Sequence, residues 1–187
     1  MANHGSFAGT PKTEWMFNAS GEDRDMRMIE DFSFTDPSGR VWPAPAGSII
    51  NGASIPRSLW AVIGSPYTGD YRRASVIHDV ACNTSGVDRK DADVMFFHAC
   101  QAGGCSSEQA RILYAGVRIG AWASDNLPGT SRSKNKILLR DKLDVQLSED
   151  VFLQSKLAEI AESMRSLPED PTIAQMDAAI GQHLKVK

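Results

Sequence analysis

The chain has 187 residues, 42% of them hydrophobic and 23% charged, with a formal net charge of -3. That length suits one compact domain, with at most an appended element. The charge balance lacks the basic footprint of a nucleic-acid binder, and the local run Arg132, Lys134, Lys136, Arg140 and Lys142 reads as a solvated linker.

Residues 1–25 are polar, contain Gly and Asn, and read as a flexible arm. Their first residues show no basic segment followed by an apolar run, so no signal peptide is expected. No stretch reaches the roughly 18 apolar residues of a membrane span. The expectation is a cytoplasmic product that, if it acts outside its cell, leaves by a route other than general secretion.

From Met28 to Thr35, Phe32 and Phe34 alternate with polar residues, the pattern of a half-buried strand. Asp36-Pro37-Ser38-Gly39 is a turn signal and Val41-Trp42 begins the return, so 28–45 predicts a β-hairpin. Gly47 to Pro56 predicts a short strand entering a loop, Asn51-Gly52-Ala53-Ser54-Ile55-Pro56. Pro56 then opens a short helix through Trp60 that Gly64-Ser65-Pro66 ends.

Three helices are predicted next: about Asp70 to Cys82, about Asp88 to Ala102 with Gly103-Gly104 as its stop, and Ser106 to Trp122. On the third, Gly116 and Gly120 suggest close packing of a neighbour. Residues 125–147 read as a linker and 148–187 as a helical hairpin. Its apolar positions are Leu153, Leu157, Ile160, Met164 and Leu167, then Ile173, Met176, Ile180 and Leu184. The hairpin either packs back on the domain or docks a protein partner. The fold class expected is α+β, a small antiparallel sheet on a helical core over 26–124 with the hairpin appended.

Three cysteines, an odd number, argue against a secreted disulfide framework. Cys100 and Cys105 are near enough in sequence to meet, and reduced thiols are expected. No Cys/His spacing suited to zinc occurs.

Chemistry is expected where titratable groups fall on apolar helix faces. His78 lies in the stripe Ala74, Ile77, Ala81 and Cys82, and Asp93 lies in the stripe of Ala92, Phe96 and Cys100. A buried carboxylate is costly unless paired. The short connection makes the two helices antiparallel neighbours, so Asp93 can meet His78 and fix its tautomer. The other ring nitrogen is then left to take a proton. Asp79 is rotated by about 100° from His78 and would reach a cleft rim as an oxygen ligand for a hard cation such as Ca²⁺. The alternative is a satisfied core pair and a surface charge.

In the loop, Ser54 is a candidate nucleophile, or the segment is only a helix-entry turn. Asn51 and Gly52 are candidate oxyanion or substrate-binding positions. Arg57 and Arg89 either hold an anionic substrate group or pair with nearby acids. His98 and His183 read as packing or surface residues.

His78-Asp79 followed by Asp93-x-x-Phe96 on a facing helix resembles the core of the phospholipase A2 superfamily. That resemblance implies His78 as base, Asp93 as its orienter and Asp79 as calcium ligand. Cys82 replaces the family's Tyr, and its calcium loop is not evident. The series Asn51-Gly52-Ala53-Ser54-Ile55-Pro56, His78-Asp79, Arg89 and Ala92-Asp93 resembles an uncharacterised family common in bacteriophages and prophages, domain of unknown function 1353. It implies that Asn51, Ser54, His78, Asp79 and Asp93 share one site.

The expectation is therefore a hydrolase acting on an ester, with a lipid or other cell-envelope substrate, in a phage, prophage or delivered-effector setting. The rivals are a non-enzymatic phage or secretion-apparatus component and a cell-wall peptidase or amidase.

Overall fold

A computed structural model describes residues 3–17, 25–52, 55–127 and 139–184, with the backbone alone for 139–145. The architecture is α+β. Six strands run in chain order as β1 (Ser6–Phe7), β2 (Thr13–Trp15), β3 (Met26–Met28), β4 (Phe32–Thr35), β5 (Val41–Ala44) and β6 (Ile49–Ile50). The helices are α1 (Trp60–Ile63), preceded by a 3-10 turn at Arg57–Leu59, then α2 (Arg72–Asn83), α3 (Arg89–Gly103), α4 (Ser107–Asn126), α5 (Leu139–Arg165) and α6 (Ile173–His183). The strands form two antiparallel sheets of three, ordered β1-β4-β5 and β2-β3-β6. Among the described residues no helix is long and apolar enough to cross a membrane.

The chain folds as two compact units. The first comprises Met1–Ser54 and Ser65–Ala110, the second Ile55–Gly64 and Arg111–Lys187.

In the first unit the predicted hairpin is β4–β5, with Phe34 opposite Trp42 and Phe32 opposite Ala44, all four buried. Its turn is organised by Asp36, whose Oδ1 accepts from the Ser38 and Arg40 amides at 2.9 and 3.1 Å while Oδ2 accepts from Trp42 Nε1 at 2.9 Å. These donors hold the Asp36 carboxyl below its ordinary pKa against the opposing effect of burial, the largest single influence on it. Residues 3–17, expected to belong to a flexible arm, instead supply a strand to each sheet. Ser6 pairs with Thr35, and Thr13 with Met28. Those strands are two and three residues long, and their pattern is too short to register as periodic.

Helix α2 packs on this hairpin, α3 packs on β1 beside it, and the two helices pack on each other through small residues. Ala74, Ala81, Ala92 and Ala99 are all buried, which lets the two backbones approach closely. Asp88 caps α3, accepting from the Lys90 and Asp91 amides at 2.8 and 3.1 Å. At its other end Gly104 adopts φ 113°, the left-handed stop expected of glycine.

In the second unit, Leu153, Leu157, Ile160 and Met164 of α5 join Met176 and Ile180 of α6 in the core with Leu113 and Val117 of α4. Leu59 of the 3-10 turn is fully buried in the same unit, and Gln154 Nε2 donates to Ser58 O at 2.9 Å. Gly116 is where close packing is required, because a Cβ there would stand 3.0 Å from Ile63 Cδ1. Helix α5 begins at Leu139, nine residues before the predicted Ser148 start. Thr172 and Gln175 form a capping box at α6.

Candidate functional site

Helices α2 and α3 bring their polar residues together where an otherwise apolar seam would run. His78 Nε2 lies 2.7 Å from Asp93 Oδ1, and both side chains are completely buried. Arg89, one turn before Asp93, donates its Nε to the same oxygen at 3.1 Å. The sequence reading of Arg89, an anion holder or a partner of nearby acids, does not name Asp93, although the i, i+4 spacing carries that signal. Phe96 packs on the imidazole with ring centroids 4.9 Å apart.

Burial alone would lower the His78 pKa. The Asp93 carboxylate and the Cys82 sulfur reverse that and raise it to about 9. Cys82 Sγ lies 3.5 Å from Nε2 and 3.8 Å from Nδ1 of the ring. Of the three residues, Cys82 alone has a partly exposed side chain. It stands one helical turn after His78, the spacing that brings two side chains together. The sequence reading places it in the apolar stripe of α2 and as a departure from the family's aromatic, without a chemical role. Arg89 Nη2 is buried with no hydrogen-bond partner among the described residues.

Asp79 does not reach a cleft rim. It is 2% exposed, and its Oδ2 accepts from the backbone amides of Asn51 and Gly52, the latter at 3.3 Å. Asn83 Nδ2 caps the Asp79 carbonyl at 2.8 Å. Burial is the leading influence on Asp79 and leaves its pKa above the ordinary value, although the two amides, His78 and Arg89 pull it down. The two amides expected to face an oxyanion are thus spent on tying the loop to α2. A hard cation at Asp79 would have to share this carboxylate with the two amides on Oδ2. His78, Cys82 and Asp93 offer nitrogen, sulfur and oxygen donors within 4.8 Å of one another. Use of those donors by a softer divalent ion would compete with the contacts that His78 and Arg89 already make to Asp93.

Ser54 lies outside the described residues. Arg57 is exposed in the second unit, its guanidinium 5.6 Å from the Trp60 ring centroid. His183, read as lacking a carboxylate, has one. Its Nδ1 is 3.2 Å from Glu159 Oε2 and its Nε2 is 2.7 Å from Ser163 Oγ. Glu159 and Ser163 share one face of α5, so these contacts clasp α6 to it. The Ser163 hydroxyl also donates to the Glu159 carbonyl of its own helix.

A second feature lies at the start of α2. The helix's first turn and the β2-β3-β6 sheet bound a cavity of about 230 Å³ that His78 does not line.

Fold and site together define an α+β domain whose paired central helices bury a His–Asp pair, with an arginine and a thiol beside it. Residues 26–117 match the family described as "Protein of unknown function (DUF1353)". The chain is 37% identical over 117 residues to the uncharacterized protein y4jT of Sinorhizobium fredii, covering 60% of this chain and 33% of that protein. It is 32% identical over 135 residues to the uncharacterized protein y4iH of the same organism, covering 70% of this chain and 56% of that one. The chain therefore spans between a third and somewhat over half of these relatives. No solved structure matches it.

Proposed function

We propose that the α2–α3 cluster is the centre of a small acyl hydrolase in which Cys82, rather than a water molecule, is the nucleophile. The observation that carries this is the placement of the partly exposed Cys82 sulfur against both nitrogens of an imidazole anchored by Asp93. A ring that stays protonated to about pH 9 is not available as a base toward water below that pH, but it carries the proton a leaving group needs.

The reactive form is the Cys82 thiolate beside the His78 imidazolium. Sulfur attacks the ester carbonyl carbon, the C–S bond forms, the C–O bond breaks, and the alkoxide leaves with the ring's proton. The neutral ring then takes a proton from water, whose oxygen attacks the thioester. The carboxylic acid departs as the thiolate and imidazolium are restored. Asp93 holds the ring and stabilises its charge. Arg89 Nη2 is the donor left to oppose a developing oxyanion. No step requires a cation at Asp79. An ester of a lipid or another cell-envelope component is the favoured substrate, in a phage, prophage or delivered-effector setting.

Turnover of nitrophenyl and phospholipid esters tests this. Cys82→Ala is expected to abolish activity with the fold intact, chelator to leave it unchanged, and the rate to fall as pH rises through about 9. Activity that persists in Cys82→Ala and rises through that pH returns the role to water activated by His78. A second reading is favoured by the complete burial of His78 and Asp93. In it the cluster specifies how α2 pairs with α3 in a non-enzymatic component that docks a partner through α5 and α6, where Val151 and Leu147 are exposed. Absence of turnover on every ester, with Cys82 reduced, selects that reading.

A further inference from the structure

We infer that the cavity between α2 and the β2-β3-β6 sheet is a binding site for a small planar anion, an aromatic ring bearing one carboxylate or phosphate group. All of its lining belongs to the first unit. Its floor is apolar, formed by the buried side chains of Met26, Ile50 and Val76. At its rim Trp15 and Tyr67 meet edge to face with centroids 5.9 Å apart, and Trp15 stays 63% exposed, a large aromatic surface left in water. Among the described residues Arg72 is the one charged side chain on the wall and none there is acidic. Among the described residues no carboxylate pairs with Arg72.

The same end of α2 adds to this field. Its first turn holds no acid and no side chain caps it, so the positive end of the helix dipole is not offset there. Size agrees with the chemistry. An apolar cavity of about 150 Å³ takes up benzene, so about 230 Å³ holds one ring and leaves its head group toward Arg72. Ser75 cannot compete as an anion donor, since its hydroxyl is committed to the Tyr71 carbonyl at 3.1 Å.

The site is separate from the thiol centre and does not rest on it. The test is titration of the full chain with phenylacetate, phenyl phosphate and the neutral isostere phenylacetamide, followed by calorimetry and by tryptophan fluorescence. At least one of the two anions is expected to bind saturably and about ten- to a hundredfold more tightly than the amide, the range a charge-assisted hydrogen bond supplies. Which anion binds better identifies the head group. Arg72 and Trp15 are exposed, so replacing them leaves the fold undisturbed. Arg72→Met is expected to erase the preference for the anions, and Trp15→Ala to weaken all three ligands. Cys82→Ala is expected to leave every curve unchanged, which separates failure here from failure of the hydrolase proposal. Equal affinity for anion and amide, or no saturable binding of any probe, overturns the assignment.

Discussion

His78 is the residue whose surroundings matter most, because its charge is held inside the molecule. Its pKa in the folded chain, about 9, lies above the value of 6.5 it has when free of partners. A raised pKa means that the folded state binds the proton more tightly. The resulting stability is fully present below about pH 6.5 and is lost as pH rises through about 9. The loss is on the order of 3 kcal/mol. Urea unfolding at a series of pH values should therefore show stability falling across that window. In Asp93→Asn the decline should vanish, together with about 3–5 kcal/mol at pH 6, because the imidazolium and Arg89 lose their counter-charge. Parallel pH curves for the two proteins would refute the buried ion pair. Asp79 behaves differently. Its carboxylate is disfavoured by burial, and its work is to accept two amides. Asp79→Asn keeps an acceptor without the charge and should melt at or above the parent temperature. Asp79→Ala orphans the amides of Asn51 and Gly52 and should cost about 1–3 kcal/mol. An Asn variant as unstable as the Ala variant would show that the charge itself is needed.

At the level of elements, the sequence was legible where periodicity or turn chemistry was strong. The β4–β5 hairpin follows from alternating Phe32 and Phe34 before an Asp-Pro-Ser-Gly turn, and α2 and α3 from apolar stripes bounded by Asp88, Gly103 and Gly104. Meeting of His78 and Asp93 was readable because two buried titratable groups on adjacent helices must satisfy each other. What the stripes could not reveal was which partner each group takes. Asp79 binds loop amides 28 and 27 residues away, contacts with no local signature. The glycines at the end of α3 carry a further meaning. A stop signal accounts for Gly104, but Gly103 is helical, and a Cβ on it would stand 2.3 Å from the Asp70 carbonyl oxygen just before α2. Gly103→Ala must push the start of α2 from the end of α3. It should destabilise the protein by about 1–3 kcal/mol, although alanine favours a helix interior by about 1 kcal/mol. A neutral or stabilising effect in denaturant titration would mean that the backbone there yields freely.

On the scale of the whole chain, the segment 55–64 was not assignable from sequence to the helices it packs with. It lies inside the 26–117 match, yet its buried Leu59 and Ile55 belong with Arg111–Lys187. Such pairing depends on residues about a hundred positions apart, as in the bond from Gln154 to the Ser58 carbonyl. Helices α5 and α6 are thus part of what covers this stretch of the family region, which leads to a prediction about truncation. A chain ended at Leu127 loses the buried side chains of Leu153, Leu157, Ile160, Met164, Met176 and Ile180. At about 1.5–3 kcal/mol per buried apolar side chain, that removal is comparable with the entire stability of a small domain, about 5–15 kcal/mol. The truncated chain should aggregate or elute as a larger species in size-exclusion chromatography, and it should lose the cooperative melt of the second unit. The milder Leu157→Ala should keep the chain monomeric and cost about 2–5 kcal/mol. A truncated chain that stayed monomeric with an unchanged melting temperature would show that α5 and α6 are accessory to the fold, free to serve a partner instead.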